Sequence, residues 1–293
     1  MPRSASVPLG LLDTGRSVAD GSVTRCQGAD GFLAVFLGER ALFGRRLACR
    51  AGILLVLVLD KDTMNNETRE QMLMTPQLIQ FSTVVAGNTH NPSILNPDFL
   101  AAQDIVPEGW GWKLAETFTT PPMALVRYEQ GVSITIEPNR LQVIDAGLDD
   151  DPTVSKAADI ASAYASALPH VHYTSVGINF QSIFEASSPE ELLKTRFVRE
   201  GAWDTAQRPL HAAGLRLVYE LSDGARVTLS LDAGEAVKPG ETQKRPVVIA
   251  RANFNRNCEG ELAHTQVEQH LRNVSGDWAT YQELISATIT TEA

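Results

Sequence analysis

Aromatic residues make up only 6% of the 293-residue chain, and there are only three cysteines. The shortage of aromatics narrows the candidate stacking sites to one dense feature, Trp110-Gly111-Trp112. Cys26, Cys49 and Cys258 are odd in number and far apart, and they form neither CxxC nor a zinc-ligand spacing. A reducing, cytoplasmic compartment is the simplest expectation. The sequons Asn66-Glu67-Thr68 and Asn273-Val274-Ser275 are then chance matches. Long apolar runs are absent too. The one strongly apolar stretch, Ala51 to Leu59, has nine residues, whereas a spanning helix needs about 20. No membrane role is expected. Positive charge is in deficit: the formal net charge is −10, which disfavours nucleic acid or an anionic membrane as the main partner.

Catalytic and cofactor signatures are also missing. No GxSxG elbow, no GxxxxGK or GxGxxG phosphate loop and no HExxH occurs. No catalytic residue, metal or cofactor is therefore assigned, and the balance leans away from an enzyme.

The first 73 residues differ in character from the rest. Residues 1–63 hold seven arginines, one lysine and frequent glycines, without clear periodicity. They read as a poorly ordered or non-native N-terminal extension, with translation starting at Met64, Met72 or Met74. A regulatory arm, or strands at Phe32–Phe36 and Ile53–Leu59, are the alternatives.

What the sequence does contain is an internal repeat. Phe81 to Val85 and Tyr173 to Ile178 are β-branched runs that read as strands. Each is followed by a capped helix start, Asn96-Pro97 and Ser188-Pro189, the latter with Glu191 at capping-box spacing. Each copy then has a hairpin. Met123–Tyr128 and Val132–Glu137 flank Gly131, while Leu215–Tyr219 and Val227–Asp232 flank Gly224. Alternation in these strands predicts one buried and one wet face. A further strand follows at Leu141–Ile144 and at Val247–Ala252, with a loop insertion over Gly234 to Arg245 in the second copy. Each copy closes on an amphipathic helix. The first opens at Asp151-Pro152. The second starts from a Thr265/Glu268 capping box and runs unbroken from Val267 to Ile285, with Gly276 marking a bend.

With strands at Trp112–Thr119 and near Thr205–His211, the expected fold is α+β. Two tandem similar units, 74–170 and 171–293, each run strand, helix, four strands, helix. Together they make one domain, a curved antiparallel sheet with the long helices packed on one face. That element order resembles the duplicated saddle of TATA-binding-protein-like folds. The resemblance is one of order alone and implies no function.

Six residues stand out as candidate binding positions. Trp110 and Trp112 could stack a ring, although tryptophans there more often close a core edge. His170 and His172, two apart, would share one strand face and could reach one ion; as a corner after the first long helix they would be structural. Asn253 and Asn255 lie in a segment dense in hydrogen-bonding groups that reads as a turn after a strand. Asn88 to Pro92 has the same character. Asp149-Asp150-Asp151 reads as a solvated acidic turn, not a calcium loop. Cys258, near Arg256, has no evident base partner.

The expected function is a non-catalytic protein-binding or assembly module. Its partner would be another protein or a second copy of the chain, and the contact surface would be the wet face carrying Ser133, Thr135, Glu137, Thr228, Ser230 and Asp232. That face reads as polar to acidic and so argues against nucleic acid. The alternative is a small-molecule binder or enzyme with a pocket between sheet and helices, near Tyr164, Trp278 and Tyr281.

Overall fold

The computed structural model describes residues 76–290, apart from 149, 239 and 240. Everything expected of residues 1–73 falls outside that range. The described residues form an α+β fold around one nine-stranded antiparallel sheet. In chain order the strands are β1 (Gln77–Asn88), β2 (Leu114–Thr120), β3 (Met123–Tyr128), β4 (Val132–Glu137), β5 (Arg140–Asp145), β6 (His172–Glu185), β7 (Leu215–Glu220), β8 (Arg226–Val237) and β9 (Lys244–Asn257). Across the sheet they lie in the order β2-β3-β4-β5-β1-β6-β9-β8-β7. The helices are α1 (Pro97–Ala102), α2 (Ala157–Ala167), α3 (Pro189–Phe197), α4 (Ala263–Leu271) and α5 (Val274–Ile285).

Period-two patterning builds the sheet. In β4, Val132, Ile134 and Ile136 are buried; in β8, Val227, Leu229 and Leu231 are. These side chains and Phe81, Phe180 and Phe254 meet the apolar stripes of the helices in one continuous core. Ile160 and Tyr164 come from α2, Val267 and Leu271 from α4, and Tyr281 and Ile285 from α5. Phe180 is the hub: its ring lies 5.3–5.7 Å from those of Trp278, Tyr281, Phe254 and Phe81 (5.5 Å). Gly131 and Gly224 turn the two hairpins at φ of 90° and 83°, where a side chain would be strained.

Several boundaries differ from expectation, each for a local reason. Asn96 caps α1 through Phe99 N–H (2.8 Å), but Ser188 makes no side-chain cap bond to α3. Asp151 caps only a 3-10 turn, Pro152–Val154, and α2 begins later, at Ala157. Thr265 is no cap, because α4 already starts at Ala263 and the Thr265 hydroxyl donates to Leu262 O (2.7 Å). The terminal helix is two helices, separated at Arg272–Asn273, and the second runs through Gly276 without a break.

The strands differ as well. β2 starts at Leu114, so Trp112 lies before it. The expected strand near Thr205 reduces to an isolated bridge, Thr205 to Arg208. Half of the Gly234–Arg245 insertion, residues 234–237 and 244–245, is strand. The β8–β9 ladder continues to Val237 opposite Lys244, helped by the Lys244–Glu235 ion pair (2.7 Å). No helix among the described residues is long and apolar enough to cross a membrane.

Candidate functional site

The strand residues that alternate with the buried ones point away from the helix-packed core. Strand pairing sets them in register. One row runs Glu116, Arg127, Ser133, Ile144, Ser82, Asn179, Asn253, Thr228, Val218 from β2 to β7. In this row the central strands β1, β6 and β9 contribute Ser82, which is buried, and the half-buried Asn179 and Asn253. Asn253 Nδ2 donates to Asn179 Oδ1 (2.6 Å), and Asn179 Nδ2 donates to Ser82 O (3.3 Å). Gly177 makes room for this ladder, since a Cβ there would stand 3.0 Å from Asn253 Nδ2. Gln181 and Arg251 continue the polar strip on one side, Gly177 and Asn255 on the other.

Ser133, Thr135, Glu137, Thr228, Ser230 and Asp232 all stand on this face and are half-buried. The expectation that it is polar to acidic needs correction. Arg127, Arg140, Arg226 and Arg251 stand beside the acids and pair with Glu116 (2.8 Å), Glu137 (3.0 Å), Glu220 (3.5 Å) and Asp232 (3.2 Å). The face is therefore of mixed charge, with these four pairs locally neutralised, while the exposed Arg216 of β7 makes no ion pair among the described residues.

Of the six candidate residues, only Asn253 and Asn255 belong to this surface. They are not in a turn: the whole segment to Asn257 is strand, paired to β6 on one side and, through Asn255, to β8 on the other. The signal was present as alternation, Asn253, Asn255 and Asn257 against Ala252, Phe254 and Arg256. Asn179 was missed for the same reason, being the polar member of an alternating run in β6. Asn88 likewise ends β1 and is not part of a turn.

Trp110 and Trp112 pack with their rings tilted (4.8 Å between centroids), and Trp112 packs on Tyr128 (5.3 Å) at the edge of the core. The Lys156 ammonium sits 5.6 Å from the Trp110 ring. His170 is exposed in a turn, and His172 is exposed at the first position of β6. The two therefore do not share a strand. Among the described residues no group of three or more His, Cys, Asp or Glu side chains is placed to hold a metal ion.

Inside the sheet–helix layer, burial sets the chemistry. The Cys258 thiol is pushed up to about 11 by burial, so it stays protonated and non-nucleophilic at neutral pH. His90 is buried, with Nδ1 3.0 Å from Tyr164 Oη and Nε2 without a hydrogen-bond partner. Burial lowers its pKa to about 4, so the ring is neutral. Arg256 is buried in a bidentate pair with Asp277 (2.7 and 2.8 Å) and also reaches Asp223 (2.6 Å), tying β9 to α5 and to the β7–β8 turn. Of Asp149-Asp150-Asp151, the first lies outside the described residues and the other two have separate tasks. Asp150 accepts from Leu78 N–H (3.0 Å), and Asp151 from Thr153 N–H (2.9 Å). A groove of about 260 Å³ lies outside this layer, between Val154, Lys156 and Asp159 and the α4–α5 break at Leu271, Arg272 and Val274.

No protein-family model matches the chain, and no curated protein matches it in sequence.

Proposed function

We propose that the chain is a non-catalytic binding or assembly module that contacts a protein partner with the polar face of its sheet. The carrying observation is the continuous in-register surface described above, with an amide ladder at its centre and paired charges on its flanks. Polar side chains already fixed by neighbours lose little freedom on contact, which favours recognition over a flat, mixed surface.

The same reading takes the molecule as a duplication, 74–170 and 171–293. The strand order supports it. β1 and β6 lie side by side at the centre, and β5-β4-β3 and β9-β8-β7 run outward from them in mirrored sequence. The helix starts Pro97 and Pro189 are 92 residues apart, and the turn glycines Gly131 and Gly224 are 93 apart. On this reading the element order resembles that of a TATA-binding-protein-like saddle, with the second unit one strand short. Nucleic acid is no part of the reading, because Arg127, Arg140, Arg226 and Arg251 are each held by a carboxylate, which leaves Arg216 of β7 as an arginine on the face with no ion pair among the described residues.

The test is affinity capture from the source cells with the tagged chain. It is compared with a Ser133→Lys/Thr135→Lys/Thr228→Lys variant and with a helix-side control, Glu283→Lys. A protein retained by the native chain and the control but lost by the sheet variant supports the reading. Retention indifferent to the sheet face, no retention, or tight salt-sensitive binding of duplex DNA counts against it.

A further inference from the structure

β2 is an edge strand whose outer side is paired with no strand among the described residues, although the 3-10 turn Pro92–Ile94 lies close to it. Its residues Leu114 to Thr119 are exposed on both faces, Leu114 and Phe118 by nearly half. The opposite edge, β7, is different, with every second residue half-buried. A free edge presents a row of backbone N–H and C=O groups that only another extended strand can satisfy in full.

We propose that a second copy of this chain pairs with β2, antiparallel and centred on Phe118, to form a weak two-fold dimer. The inference rests on the assembly reading above and names the partner and the edge. The usable stretch is short and bounded. A register shift between Leu114 and Glu116 interrupts the strand on one side, and Pro121-Pro122, which lack N–H donors, end it on the other.

Within Glu116 to Thr120 the sequence complements itself about Phe118. Phe118 meets Phe118 of the second copy, Thr117 meets its Thr119, and Glu116 meets its Thr120. Aromatic and threonine cross-strand pairs are favourable. The two Glu116 carboxylates fall at opposite ends, each already held by its own Arg127 (2.8 Å). Centring on Glu116 instead would set the carboxylates face to face. Pairing β2 with β7 would be head-to-tail, giving a ring or an open filament in place of a two-fold dimer.

Five paired residues bury well under the roughly 1,200–2,000 Å² of a standard stable interface, so the dimer is weak. Sedimentation velocity on the full chain, from about 5 to about 500 µM, brackets a Kd on the order of 100 µM. The native chain should sediment faster as concentration rises. Phe118→Lys and Phe118→Glu should each remain monomeric, because the axis sets like charges together. An equimolar mixture of the two should associate again at low salt. Val218→Lys, on the β7 edge, should behave as the native chain.

The proposal is overturned by a native chain that stays monomeric throughout, by a Phe118→Lys variant that associates as the native chain does, or by a mixture that fails to associate. Rescue in the mixture shows that both variants are folded. Partner capture that depends on the sheet face does not require this dimer, so either proposal can fail while the other stands.

Discussion

Arg256 and Asp277 are the most consequential single side chains in the core, because each is 4% exposed and each is the other's main partner. Burial pushes the Asp277 carboxyl up, and the Arg256 hydrogen bonds pull it back. Removing one partner strands the other charge. Arg256→Met should cost about 3–5 kcal/mol, and Arg256→Met/Asp277→Leu should recover most of that loss. Urea unfolding checks both values, and a double variant no better than the single would contradict the pairing.

His90 gives a pH signature. Its folded value of about 4 lies below the ordinary 6.5, so the unfolded chain takes up the proton first as pH falls. The stability it contributes is complete above about pH 6.5, declines between there and about 4, and totals on the order of 3 kcal/mol. The groups facing it, Tyr164 from α2 and Tyr173 from β6, carry no compensating charge. His90→Gln, which keeps a partner for Tyr164, should lose less stability than the native chain between pH 7 and 4 in denaturant titrations. Equal losses would contradict the account. Neither site was legible in the sequence. Nothing local to His90 or Arg256 announces a partner 74 or 21 residues away.

At the scale of elements, Gly131 and Gly224 occupy matching turns with different surroundings. Alanine at either position pays about 1–2 kcal/mol for positive φ. At Gly131 a Cβ would also stand 2.9 Å from Gly147 N, whereas at Gly224 nothing lies within 4 Å. Gly131→Ala should therefore destabilise by at least about 1 kcal/mol more than Gly224→Ala. Comparison of their denaturation midpoints checks this, and equal costs would contradict it.

Strand existence and face were readable because apolar alternation survives in β3, β4, β7 and β8. Asn253 to Asn257 was misread because asparagine favours turns locally, while two flanking strands hold its backbone extended. The break at Arg272–Asn273 was hidden by an apolar stripe that continues across it from Leu271 to Val274 and Trp278.

At the scale of the molecule, the sequence reading reached the α+β class and the antiparallel sheet. It could not reach the strand order, which depends on β1 pairing with β6 across 84 to 106 residues. The candidate surface was half legible. Its outer strands were identified, but the central ladder of Ser82, Asn179 and Asn253 appears only when β1, β6 and β9 are set side by side. If the fold is carried by residues from Gln77 onward, a chain begun at Met74 should keep the full-length denaturation midpoint and one cooperative transition. A lower midpoint would assign a packing role to the preceding residues.

The central claim, that the polar sheet face is the contact surface, is tested most directly by site-specific photo-crosslinking in cells. A photoreactive residue at Thr228 or Ser133 should give discrete protein adducts, while the same residue at Glu283 on the helix side should give none. Adducts from Glu283 alone, or an identical pattern from both sides, would contradict the account.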